Sequence, residues 1–146
     1  METRGTDPTL PDSCVIGIGL ADADGCLYVD LRGLSAECHE YLIEFLKNVR
    51  LVAFNTKFDA AFLALYTGTW LNWIGCAYRL YKAASNDGHI GQRWNLEAMQ
   101  IHYLGYPYTN KADMEYLLQM HGLTKATMGQ LGATDLGPYC AVDADS

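Results

Sequence analysis

From Cys14 to Leu31 apolar and polar residues alternate with a period of two, broken once by a turn. Ile16, Ile18 and Leu20 fall on one face of a strand, with Gly17 and Gly19 on the other. Two glycines at that spacing imply that another element comes close to the strand. Asp22-Ala-Asp-Gly25 is a hairpin turn signal. Cys26 to Leu31 is the return strand, with Leu27, Val29 and Leu31 alternating against Tyr28 and Asp30. The period then changes. Ser35 caps a predicted helix to about Asn48, with Cys38, Tyr41, Leu42, Phe45, Leu46 and Val49 as its apolar stripe. Arg50–Phe54 reads as a short buried strand. A helix over Lys57–Tyr66 follows, with Phe58, Ala61, Phe62 and Leu65 facing inward. Strands alternating with helices predict an α/β layered domain.

Beyond Thr67 the pattern weakens. Trp70–Gly75 has room for a short strand, Cys76–Ala84 is helical in pattern, and Ser85–Gly91 reads as a loop. Asn95 caps a predicted helix to Tyr103, stopped by Gly105 and Pro107, and Asn110 caps another to Met120, stopped by Gly122. Leu123–Asp135 shows no period. Pro138 suits the first turn of a closing helix. In such a helix Tyr139 and Asp143 share one face, four residues apart. With no repeat or linker, residues 1–146 read as a single domain.

Composition narrows the classes. Hydrophobic residues make up 50% of the chain, enough for a core, without an eighteen-residue apolar run that would cross a membrane. The start, Met1 to Pro8, lacks the basic-then-apolar pattern of a signal peptide. Five cysteines (Cys14, Cys26, Cys38, Cys76, Cys140) without C-x-x-C spacing argue against a zinc site or disulfide framework. They read as small core residues in a reducing compartment. The net charge of −7 disfavours a protein that coats nucleic acid by broad attraction. It suits carboxylates gathered around Mg²⁺, and equally an ordinary soluble protein. His39, His89, His102 and His121 are scattered and read as surface or helix-face residues. Gly17-x-Gly19 lies inside a strand, so it is no dinucleotide fingerprint.

Two short stretches carry candidate chemistry. Asn55-Thr-Lys-Phe58-Asp59 puts a carboxylate just past the carboxyl end of a strand, where ligand sites of open sheets lie. A helix N-terminus with Asn and Asp serving its dipole contains the same residues. Tyr139-x-x-x-Asp143 also occurs in amphipathic helices without function. Arg93 and Lys125 are the basic residues read as contacts to a phosphate backbone.

Taken in order, Asn55-x-x-Phe58-Asp59 and Tyr139-x-x-x-Asp143 resemble the second and third motifs of the DEDD exonuclease superfamily. The likeness is to its tyrosine-bearing branch, which includes the 3′–5′ proofreading domains of phage-type family A DNA polymerases. Leu136 to Asp145 resembles the third motif beyond its two key residues. Trp94-Asn-Leu96 with Tyr103-Leu-Gly105 resembles the helix between motifs two and three. Val15 to Asp22 with Leu27 to Asp30 resembles the second and third strands.

The resemblance implies a ribonuclease-H-like three-layer domain, a mixed β-sheet flanked by helices. Its first motif is Asp-x-Glu followed by Thr. Glu2 and Thr3 match the last two, and the Asp would precede Met1. The first central strand is thus expected to be largely missing, and the chain to be a fragment of a longer DNA polymerase. By the same resemblance Glu2, Asp59 and Asp143 hold two divalent cations, Mg²⁺ or Mn²⁺, and Tyr139 orients the attacking water. Thr3 and Asn55 contact the terminal nucleotide. The implied partners are a single-stranded DNA 3′ end and a polymerase domain downstream in the parent chain, with no membrane. The implied location is the cytoplasm of a bacterium or a phage-infected cell. Two other readings stay open: an RNA-trimming ribonuclease of the same superfamily, and a catalytically silent domain that binds single strands or scaffolds a polymerase.

Overall fold

The computed structural model describes residues 1–85, 95–104 and 111–145. Strands β1 (Glu2–Arg4), β2 (Cys14–Asp22) and β3 (Gly25–Asp30) form an antiparallel sheet in that order. The Asp22 carboxylate closes the hairpin by accepting from the N–H groups of Asp24 (2.9 Å) and Gly25 (3.2 Å). Helix α1 (Ala36–Asn48) begins at Ser35, whose hydroxyl oxygen accepts from the Cys38 N–H. Strand β4 (Leu51–Ala53), helix α2 (Thr56–Thr67) and strand β5 (Trp73–Cys76) make a parallel crossover unit. Helix α3 (Ala77–Ser85) follows directly. Helix α4 (Leu96–Leu104) is capped by Asn95, which accepts from the Ala98 N–H at 2.8 Å. Helix α5 (Lys111–Met120), a short 3-10 helix (Lys125–Gln130) and helix α6 (Ala133–Asp145) complete the chain. The fold is mixed α/β. Among the described residues its strands form two pieces, β1-β2-β3 and β4-β5.

Two apolar clusters sit against the first sheet. Ile18, Leu31, Leu42, Leu46, Leu63 and Leu71 form one, with α1 and α2. Ile16, Met114, Leu118, Leu131 and Leu136 form the other, with α5 and α6. Ile16 and Ile18, expected on one face, therefore serve different clusters. The cause is a bulge: Glu2 pairs with Gly17 and Thr3 with Val15, so Ile16 is the extra residue. The close approach implied by the glycines is present, because α6 packs on β2 and β3. Arg32 ties the end of β3 to the 3-10 helix. Its Nε and Nη2 donate to Asp30, and its Nη1 donates to the carbonyls of Gly129 (2.6 Å) and Leu131 (2.7 Å).

Several local expectations are corrected. Of the α1 stripe only Leu42 and Leu46 are buried, whereas Tyr41 is 79% exposed. Tyr41 and Phe45 lie one position back, about 100° round the helix from the inward line. In α2 the buried face is Ala60, Phe62 and Leu63, and Leu65 is exposed. Val52 of β4 is exposed, so that strand is not buried. Cys14, Cys26 and Cys38 are exposed and only Cys140 is buried, so the cysteines are not generally core residues. Leu123–Asp135 holds the 3-10 helix, opened by a Thr124/Thr127 capping box. Helix α6 starts at Ala133, so Pro138 lies inside it rather than in its first turn. That removes one helical hydrogen bond. Burial of Leu136, Gly137 and Cys140 holds the helix in place. The Ser85–Gly91 loop, apart from Ser85, lies outside the described residues, as do Asn110, Gly105, Pro107, Trp94 and His89. No described helix is long and apolar enough to cross a membrane.

Leu136 is fully buried in the second cluster. Leu136→Ala is expected to lower stability by about 2–5 kcal/mol, read from the midpoint of a urea titration.

Candidate carboxylate site

Glu2 stands on the short β1, directly paired with Gly17 of β2. Asp59 is in the first turn of α2, just beyond the carboxyl end of β4. Tyr139 and Asp143 are successive turns of α6. What brings α6 to the sheet is the missing side chain at Gly19. A Cβ there would fall well inside van der Waals contact distance of the Cys140 carbonyl oxygen. Gly137 plays the same part from the helix side, where a Cβ would stand 3.1 Å from the Tyr28 ring.

The charges of these groups act on one another. Glu2 is raised to about 7, first by burial and further by Asp143 and Asp59, against the opposing Met1 α-ammonium and Lys125. Burial also raises Asp59, with the α-ammonium opposing. Asp143 is raised by burial, while a hydrogen bond from the Tyr139 hydroxyl, the α-ammonium and Lys125 pull it back. Tyr139 is held well above the ordinary phenol value by burial and by the negative charge of Asp143 and Glu2. It stays protonated at neutral pH and donates to Asp143. At the Met1 α-ammonium, burial lowers the value, but Cys140, Asp59 and Glu2 raise it further. Burial raises the Cys140 thiol as well. A neutral thiol carries little charge, so the carboxylates hold the ammonium in its charged form. The centre is thus three partly dehydrated acids facing two cations, one of them Lys125 on the 3-10 helix.

Of the expected site residues, Asp59, Asp143 and Lys125 act electrostatically on Glu2, and Asp143 and Glu2 act on Tyr139. Thr3 does not join them. Its hydroxyl donates to the Gly5 carbonyl at 2.8 Å, and it lines a separate cleft with Arg4 and Arg32. Asn55 is exposed at the start of α2, and its side chain makes no capping bond. Arg93 lies outside the described residues. Two features escaped the sequence reading. A groove of about 340 Å³ opens beside Tyr139, lined by Met114, Leu118, Leu123, Lys125 and Met128. Part of its wall, Leu123, Thr124, Lys125 and Met128, comes from the stretch without period. The other is Tyr28, which the alternation marked only as a polar-side strand residue.

Hard carboxylate oxygens on dehydrated side chains are the donor set that suits Mg²⁺ or Mn²⁺. Among the described residues no three His, Cys, Asp or Glu side chains are arranged as a metal-ligand group. No family model matches the chain, and no curated protein or solved structure matches it either.

Proposed function

We propose that the chain is a 3′–5′ exonuclease domain of ribonuclease-H-like architecture, trimming DNA 3′ ends as a proofreading unit beside a polymerase. The observation that supports this reading is that Asp59 of α2 and Asp143 of α6 both act on Glu2 of β1, with Tyr139 bonded to Asp143. An antiparallel three-strand unit followed by a parallel crossover, with helices packed from both sides, also supports it.

Glu2, Asp59 and Asp143 would hold the divalent cations, and such ions supply an activated water and a stabilised leaving oxygen. The rest falls to the protein. Tyr139, kept protonated, orients the attacking water by its hydroxyl and is not a base. Asp143 fixes the rotation of that phenol. Lys125 draws the phosphate backbone towards the acids, and the groove beside Tyr139 gives the terminal nucleoside an apolar wall.

The alternative is a catalytically silent domain that binds single strands, and one experiment separates the two readings. The test is degradation of 3′-labelled single-stranded DNA and RNA with Mn²⁺, for this chain and for one with an aspartate placed directly ahead of Met1. The exonuclease reading expects the added acid to raise the rate, and Asp143→Asn to lower it by at least about 100-fold. Faster loss of RNA than DNA identifies a ribonuclease. Single-strand binding with no metal-dependent cleavage in either chain identifies the silent domain.

A further inference from the structure

Tyr28 sits on β3 opposite Gly19, with its ring against Gly137 of α6. A side chain at Gly17 would overlap the Tyr28 hydroxyl. The hydroxyl therefore occupies the place that the Gly17 side chain leaves empty. Gly17 pairs directly with Glu2 across β1 and β2. Side chains of directly opposed residues share a face and touch. The Tyr28 hydroxyl accordingly lies over the strand position next to Glu2, without a hydrogen bond to its carboxyl in this structure.

That hydroxyl is buried and has no hydrogen-bond partner. Buried hydroxyls are rarely left so, and phenylalanine would fill the same space without the loss. Its acidic neighbours are few. Asp30 has both oxygens held by Arg32. The Cys140 thiol is a weak acceptor. Glu2 is the remaining acid that acts on Tyr28.

We propose that Tyr28 is a positioning residue, whose hydroxyl donates to the ionised Glu2 carboxylate and turns it towards Asp59 and Asp143. The proposal rests on the metal-dependent reading of this site, and extends it to a residue that touches neither substrate nor cation. Tyr28 sits beneath the site between two glycines that make room for it. No other described tyrosine has a buried hydroxyl without a partner.

Tyr28→Phe in the full chain tests it, read by the carboxyl-carbon resonance of Glu2 in metal-free protein above its raised pKa, and by Mn²⁺ affinity. The Glu2 resonance is expected to move while that of Asp59 stays, Mn²⁺ binding to weaken by about tenfold, and the melting temperature to hold or rise. A Glu2 resonance that does not move overturns the proposal. So does one that moves with Mn²⁺ affinity unchanged, because the hydroxyl then positions nothing for the metal. If the resonance moves and neither protein binds Mn²⁺, the contact stands and the exonuclease reading fails.

Discussion

Gly19→Ala is expected to destabilise the chain by about 3 kcal/mol or more, at the upper end of overpacking effects. The added Cβ meets the Cys140 carbonyl oxygen at less than contact distance, and the carbonyl carbon and Sγ at 3.0 Å. Two of those atoms are helix backbone, which cannot rotate away as a side chain can. Relief requires α6 to lift from β2. That motion uncovers Leu136 and Cys140, both fully buried. It also draws Tyr139 and Asp143 away from Glu2, so under the proposed function Mn²⁺ affinity is expected to fall with stability. Gly33→Ala is the control, since a Cβ there meets nothing within 4 Å. Urea titrations followed by circular dichroism separate the two, and equal midpoints would mean that α6 does not rest on Gly19.

The second large effect is on pH. Without divalent cations, stability is expected to fall as the pH rises through the range in which Glu2 titrates. Glu2 moves from an ordinary value of 4.5 to about 7 on folding. Its contribution is therefore complete below 4.5, where both states are protonated, and is lost as the pH passes about 7. At ~1.4 kcal/mol per pKa unit this shift corresponds to about 3 kcal/mol. Asp59 and Asp143 are also raised, so they act in the same direction from a lower starting point of 3.8. The α-ammonium is raised above 8.0, and the attraction it supplies is lost only beyond that. A cation that binds only the folded, ionised site restores stability by mass action. Thermal melts across this pH range, with and without Mn²⁺, should diverge most at the alkaline end. A metal-free stability that climbs steadily with pH would contradict the burial of Glu2.

Much of the local structure was legible because its causes are local. Asp22 closes a turn three residues long, Ser35 and Asn95 cap the helices that follow them, and alternation marks the β2–β3 hairpin. The Tyr139–Asp143 pair is legible for the same reason, since helical spacing alone puts the two on one face. Elements whose boundaries depend on distant partners were not legible. Helix α6 runs on through Pro138 because Leu136 and Cys140 are buried against the sheet, which no nearby residue announces. The bulge at Ile16 follows from how β1 docks on β2, and it sends two similar isoleucines to different clusters. Thr3, adjacent to Glu2 in sequence, turns to the Gly5 carbonyl instead.

By itself, then, the sequence determined the alternation of strands and helices, the caps and turns, and which acids were worth watching, since periodicity and side-chain chemistry are properties of neighbouring residues. Only the tertiary structure decided that Asp59 and Asp143 both act on Glu2, because that depends on three elements from distant parts of the chain. It also decided that Tyr28 fills the space left at Gly17 and Gly137, because that place exists only where β2, β3 and α6 meet.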